Sequence, residues 1–451
     1  MPADIAIQAD ATSQRDAPAA QLPWENSSAR RLRNVRWMAL VVVLVAIPSW
    51  ILIDTAWAAR RGWIADAPAM PRLVGRAAAL LLLGVAAALI VPASRRWMNR
   101  RADQMLLGVA SGSLALLVGE AIFNAARLAP PFHGRQPGLQ LELYPDPFSF
   151  PGLSDAARLT YNEWGLRGET LDAGLGVTNV LCLGGSTTEQ LYVDDQRTWP
   201  AQLARRLNGA TPGAYRVANA GHCDYGVAQH ARFIRESPLI DQVHVVVLLP
   251  GIGDLMRYLL DLDLDDHCPP VWYRSSWASV AREVWNGRLG HGMQVDPTGA
   301  AYAHARTKLN FSHWSRLPDF DVAARRYEMR LRELIDQLSR RGKKLLCVTQ
   351  PALWSGDLSP DGMRRLAVCR MFPHPTPYPF MTPENLRSAI DRYNDAVREV
   401  CRDTGTGLVD AAAAMNGDSQ YFYDDYHFTE AGSARLAELV AREFYSSRYP
   451  D

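Results

Sequence analysis

Three apolar runs fill the first third of the chain, at residues 37–53, 77–91 and 105–123, and none carries the polar face of a helix half turned to water. With their flanks each approaches the length that crosses a ~30 Å hydrocarbon core, so the pattern predicts three transmembrane helices within residues 35–125. Ahead of them, residues 1–34 are rich in Ala, Gln, Asp and Ser without periodicity, which predicts a disordered tail. Past a linker and lead-in at 126–175 the pattern changes. Short continuous apolar runs at 179–183, 215–219, 243–249, 344–348 and 407–410 alternate with amphipathic stretches at 199–207, 227–235, 322–341 and 383–404, and read as strands and helices respectively. The stretch at 383–404 is the clearest: Thr382 as cap, proline at the first helical position, Leu386, Ile390, Tyr393, Val397 and Val400 on one face, and Gly405 as its stop. Alternation of this kind predicts a five-stranded, mainly parallel sheet covered on both faces, a three-layer α/β sandwich over residues 176–451 with insertions at 255–318 and 351–381.

Charge orients the apolar third. Arg30, Arg31, Arg33 and Arg36 precede the first run, and Arg95, Arg96, Arg100 and Arg101 link the second to the third, so both groups are expected in the cytoplasm. Three crossings then place the α/β domain outside the cytoplasm, on a multi-pass protein of the inner membrane. Arg60, Arg61, Arg72 and Arg76 in the first link oppose that assignment. About 35 polar residues precede the first run, so no cleaved signal peptide is expected. Glu120, inside the third run, reads either as part of a proton or ligand path or as a carboxylate near the membrane exit.

Composition excludes more than it assigns. A formal net charge of +1 makes no case for nucleic acid. Six cysteines are too few to frame a domain of this size; Cys182 and Cys347 read as core, while Cys268 and Cys369 are candidates for pairing in an oxidising compartment. No cysteine and histidine spacing suits zinc, and neither a cofactor nor a metal is expected.

Candidate chemistry sits at one strand end. The apolar run 180–183 leads straight into Gly184-Gly185-Ser186-Thr187-Thr188-Glu189, and a serine where a buried strand stops is a candidate nucleophile. Its hydroxyl needs a histidine to take the proton and a carboxylate to fix that histidine's tautomer, and Asp424-Asp425-Tyr426-His427 offers both. Ligands of parallel sheets bind at the carboxyl ends of strands, where Ser186, the turn from Gly251 to Asp254, Gln350 and Asp410 all fall. His222 and His230, near another strand end, either line the pocket or fill ordinary core or surface roles.

The stretch from Asn179 to Glu189, then Val217-Ala-Asn-Ala-Gly221, then Val245 to Asp254 through Gly251-Ile-Gly-Asp, then Asp424 to Gly432, resembles the SGNH (GDSL-like) hydrolase superfamily block by block. Asn162-Glu-Trp-Gly-Leu-Arg-Gly-Glu169 resembles the lead-in of its membrane-attached bacterial members. The resemblance implies Ser186 as nucleophile, His427 as base, and Asp424 rather than Asp425 as the acid, from the superfamily's Asp-x-x-His spacing. It also implies an oxyanion hole built from the Ser186 N–H, a second-block N–H that falls at Asp224, and an asparagine side chain at a position held here by Gly253. One donor short, the protein is expected to be slow on simple esters, with Gly253→Asn or a substitute such as Gln350 supplying the missing group. Trp272, Trp277, Trp285 and Trp314 in the first insertion, and Trp354, Phe372 and Tyr378 in the second, either bind sugar rings or acyl chains or pack the loops. The expected function is a membrane-tethered serine esterase acting on an O-acyl ester of an envelope glycan, lipid or small molecule. The alternatives are an O-acyltransferase of an envelope polysaccharide and a catalytically silent glycan-binding or assembly factor.

Overall fold

Four helices account for the apolar third: α1 (Pro23–Arg60), α2 (Ala69–Ile90), α3 (Pro92–Arg100) and α4 (Ala102–Ala125). The structure, a computed structural model, describes residues 23–60, 69–125, 135, 137–171, 174, 176–223, 225–260, 276–277, 281, 295–306, 308–369 and 377–446. Two compact units emerge, Met1–Ile53 with Leu73–Leu117, and Asp54–Arg72 with Val118–Asp451.

In the first unit, Asn34–Asp54 and Ala102–Ile122 are long and apolar enough to cross a membrane. Met38, Ile53, Leu107 and Leu117 stand exposed along these helices, and Arg36 pairs with Asp103 at 2.6 Å. The middle run differs from expectation. Arg76–Ile90 and α3 meet at 89°, broken at Val91, whose backbone is extended. Pro92 causes this: its ring excludes the helical conformation from the residue before it, yet suits the first position of a new helix. Two helices qualify as spans, and three, as expected, if the bent pair counts as one span.

The second unit begins with a hairpin, β1 (Gln140–Leu143) against β2 (Ala157–Thr160), and continues as an α/β fold. Its sheet comprises β3 (Arg167–Gly168), β4 (Thr178–Gly184), β5 (Tyr215–Gly221), β6 (Val245–Leu249), β7 (Lys344–Val348) and β8 (Gly407–Val409), in the order β3-β5-β4-β6-β7-β8. The five expected strands are present and parallel; a sixth, β3, is added antiparallel at one edge, Arg167 facing Asn219. Two residues are too short to register as a strand by periodicity, and the pairing comes from the lead-in turn that precedes it. Every residue of β6 is buried, as both-face coverage demands. Helices α6 (Trp199–Ala210) and α14 (Glu430–Ser446) pack together, as do α7 (Val227–Glu236), α10 (Phe320–Arg340) and α12 (Pro383–Thr404). Between them come the shorter α5 (Ser186–Glu189), α8 (Ile252–Leu259), α9 (Ala300–Arg306), α11 (Pro360–Arg365) and α13 (Ala411–Met415). Cys369 is buried and unpaired, and its proposed partner Cys268 lies outside the described residues.

Because β5 and β6 flank β4 although they follow it in sequence, the chain reverses its winding direction at β4. That is the switch point where doubly wound sheets open a crevice, and Ser186 stands at its mouth.

Candidate active site

Ser186 opens α5, a single helical turn directly after β4. A lone turn is not stable by itself, and its surroundings hold it. The buried Arg167 donates through Nη1 to the carbonyls of Glu189 (2.7 Å) and Gln190 (2.6 Å), through Nη2 to Val193 O, and through Nε to Asp195 (2.7 Å). Gln190 ends the turn in the left-handed region at φ 52°, a strained conformation for a residue with a side chain. Its amide pins it there, accepting from Trp199 N (2.7 Å) and donating to Ser433 Oγ (2.7 Å). Glu189, fully buried, accepts from Arg135 Nε (2.7 Å) and Nη2 (3.0 Å), Tyr161 Oη (3.1 Å) and Cys223 N (2.8 Å). Burial pushes its carboxyl up, but the Arg135 guanidinium, with His222 and the Cys223 contact, more than reverses that and holds it well below the usual carboxylate range.

The loop between β8's helix α13 and α14 brings the partners. An isolated bridge between Phe422 and Phe428 and the bond from Tyr423 N to His427 O (3.0 Å) close it into a tight bend. Inside the bend, Asp424 Oδ1 accepts from the backbone N–H groups of Tyr426 (3.0 Å) and His427 (2.9 Å), and the carboxylate meets His427 Nδ1 at 2.8 and 3.0 Å. His427 Nε2 lies 2.7 Å from Ser186 Oγ. Ser186, His427 and Asp424 thus form a continuous chain, with His427 and Asp424 buried and Ser186 half-buried. Asp425, the rival carboxylate, points elsewhere: it accepts from Trp354 Nε1 (2.9 Å), Ala367 N (2.7 Å) and Val368 N (3.0 Å), a loop-fastening role.

Around the imidazole stand groups that no motif announced. Tyr423 stacks on it with rings 8° from parallel, Tyr426 lies 4.6 Å away between centroids, and Tyr302 places its hydroxyl 3.4 Å from Nε2. Burial holds the Tyr302 and Tyr423 phenols well above their ordinary range, so both stay protonated. Arg306 reaches the Asp424 carboxylate with Nη1, which also lies 2.8 Å from His427 Nδ1. Tyr302 and Arg306 come from α9, in the first insertion, where neither hydropathy nor spacing marks them.

Beside Ser186 is a cavity of about 50 Å³ lined by Ile252, Gly253, Met256, Arg257, Leu260 and Tyr426. Gly253 is therefore at the rim, as its position in the third block implies. An asparagine there does not fit: a Cβ on Gly253 would lie 2.1 Å from the carbonyl oxygen of Tyr225. Gln350 does not substitute for it, since its amide donates to Pro351 O (2.8 Å) and its oxygen accepts from Thr187 Oγ1 (3.2 Å). Asp224 lies outside the described residues. Asp254 accepts from Val227 N at the start of α7, and Asp410 caps α13 while pairing with Arg398. His222 stacks on Tyr225, and His230 is buried, its imidazole pushed down to about 3 by burial and then by His222, hence neutral. Three of the described insertion aromatics pack the loops, Trp354 being fully buried, Trp314 donating to Leu259 O (3.0 Å) and Tyr378 donating to Asn310 (2.7 Å), while Trp277 is partly exposed. Trp272, Trp285 and Phe372 lie outside the described residues. Among the described residues no group of side chains is arranged to hold a metal ion.

The chain is similar to several solved proteins. Axe2, an acetylxylan esterase from Geobacillus stearothermophilus, is 18% identical over 60% of this chain and 95% of its own, with a TM-score of 0.35. A putative lipolytic protein of the G-D-S-L family from Desulfitobacterium hafniense is 10% identical over 59% of this chain and 99% of its own, with a TM-score of 0.33. An alpha/beta hydrolase enzyme from the metagenome of Lake Arreo, Spain, is 14% identical over 61% and 96%, with a TM-score of 0.34. No curated protein matches the chain. The GDSL-like lipase/acylhydrolase family model matches residues 182–435, from β4 through the histidine loop into α14, more than half of the chain, and the chain belongs to that family of ester-hydrolysing enzymes.

Proposed function

We propose that Ser186, His427 and Asp424 are the nucleophile, base and acid of a membrane-tethered serine esterase that removes a short O-acyl group from an envelope glycan, lipid or small ester outside the cytoplasm. The observation that carries this reading is the 2.7 Å contact between Ser186 Oγ and His427 Nε2, with Nδ1 held by Asp424. Ser186 Oγ attacks the ester carbonyl as its proton passes to Nε2; Nε2 returns that proton to the departing alcohol oxygen; water then repeats the sequence on the acyl-enzyme. Developing oxyanion charge falls to the Ser186 N–H and, by block position, the Asp224 N–H, with no side-chain donor from Gly253. The small cavity beside Ser186, mostly apolar, suits a short acyl chain. The two spans support tethering, and a location outside the cytoplasm is supported by counting the bent pair as a third crossing after the arginine-rich flank.

The test is fluorophosphonate labelling and ester turnover of the full-length protein in detergent, with acyl chains of increasing length and with and without a sugar acceptor. Ser186→Ala is expected to lose labelling and to lower turnover by at least about 10³-fold. Turnover surviving in that variant removes the mechanism, and turnover that depends on the acceptor makes the protein a transferase.

A further inference from the structure

The insertion between β6 and α10 delivers a buried cation into the proposed triad. Arg306 is the last residue of α9 and is buried, its guanidinium carbon 4.8 Å from the Tyr426 ring centroid and 5.8 Å from that of Tyr302. Its Nη1 meets Asp424 Oδ2, and its Nη2 lies 3.5 Å from Asp425 Oδ2. With Ser186 donating to Nε2, His427 Nδ1 carries the hydrogen, so the 2.8 Å approach of Nη1 to Nδ1 is not a hydrogen bond between them. Two donors converge on one carboxylate.

From this geometry we infer that Arg306 is a positioning residue of the triad, fixing Asp424 against His427 Nδ1 and balancing the paired negative charge of Asp424 and Asp425. The inference rests on the esterase reading of the same site. The buried Asp424 carboxylate holds an imidazole that must stay neutral to act as base, and buried Asp425 adds a second negative charge beside the guanidinium. Without a cation, this charge is relieved by protonation, either of His427 or of Asp424, and either event stops the first step. Arg306 opposes both. The tyrosine rings on either side keep water from screening the charge and hold the guanidinium in plane. The sequence blocks quoted above do not include this residue, which lies in the insertion between the third block and the fourth.

The sign of the pH effect does not depend on which group titrates. Around His427, the described ionisable groups are Asp424, Asp425, Tyr423 and Tyr426 from its own loop and Tyr302 and Arg306 from α9, with Cys223 behind the tyrosines. Removing the Arg306 charge favours the protonated form of both Asp424 and His427, which it touches. Because the working form needs neutral His427 and ionised Asp424, the acid limb of kcat/KM moves to higher pH.

The experiment compares Arg306→Gln, Arg306→Lys and Ser186→Ala in the full chain, each checked for folding by thermal unfolding. Arg306→Gln is expected to lower kcat by roughly 10²-fold with little change in KM and to raise the acid limb by about one pH unit. Arg306→Lys, which keeps the charge, is expected to retain the acid limb of wild type and recover part of kcat. A Gln variant with the wild-type profile, or a raised KM at unchanged kcat, overturns the inference, the latter because it makes Arg306 a substrate contact. If the Gln variant does not fold, a folded Lys variant with a shifted acid limb overturns it equally, and one with the wild-type limb supports it. Turnover persisting in Ser186→Ala marks failure of the esterase reading instead.

Discussion

The Cα of Gly253 lies so close to the Tyr225 carbonyl that a methyl group there would sit 2.1 Å from its oxygen. Sequence blocks alone suggest that asparagine at 253 would complete the oxyanion hole; the backbone of the neighbouring loop forbids it. Gly253→Asn is therefore expected to lower stability by roughly 1–3 kcal/mol, the range for a side chain forced into filled space, and to slow ester turnover. Thermal unfolding and kcat/KM on a p-nitrophenyl ester, with Gly253→Ala as the steric control, check this. An unchanged melting temperature with faster turnover would show that the Tyr225 loop yields. The meeting of Ser186, Asp424 and His427 was legible because the proposed chemistry needs those residue types, with the acid and the histidine three residues apart. Gly253's neighbour was not, because Tyr225 meets it only after β5 and β6 are laid on either side of β4. Arg306 was illegible for a related reason: an arginine in an insertion has no local pattern to set it apart from a solvated one.

At the scale of elements, α5 shows how a one-turn helix is kept in shape by charges that its own sequence does not contain. Glu189 closes that turn, and its partner Arg135 lies 54 residues away. Removing one partner of a buried pair strands the other, so Glu189→Gln is expected to cost about 3–5 kcal/mol and to disturb Ser186 three residues earlier. The acid dependence has a definite sign. The folded carboxyl is held below its unfolded value near 4.5, so its contribution is complete above that pH and is lost as pH falls below it. Denaturant melts of wild type and Glu189→Gln at pH 7 and pH 3.5 should converge toward the lower pH; parallel losses would refute the assignment. Five strands and four main helices were readable from hydropathy period because each is long and buried on a face. The edge strand β3 was not, since two residues carry no period, although the Asn162–Glu169 lead-in that forms it was conspicuous as a motif. There Asn162 Oδ1 accepts from Trp164 N and Leu166 N, shaping the turn that aims Arg167 beneath α5.

For the whole molecule, the number of crossings decides which side of a membrane meets Ser186. The apolar runs predict three; two helices qualify by length and composition, and three if the pair bent at Val91, where the second run ends against Pro92, counts as one span. A reporter active only outside the cytoplasm, fused after Asp451, is expected to be active, with a second fusion in the link at 61–68 reporting the same side. Cytoplasmic readout at Asp451 would make the bent pair re-entrant and turn the domain inward. Glu120 bears on how such a protein is handled. Its carboxylate accepts from the backbone N–H groups of Ser276 (2.9 Å) and Trp277 (3.2 Å), and the Trp277 ring occupies the space that a side chain at Gly119 would need. The insertion that carries Tyr302 and Arg306 is thereby fastened to the closing turns of α4. A fragment trimmed to begin after the last apolar run keeps Ser186, His427 and Asp424 yet loses the Glu120 contacts to Ser276 and Trp277, so the full-length chain is the one in which the proposed activity is to be measured.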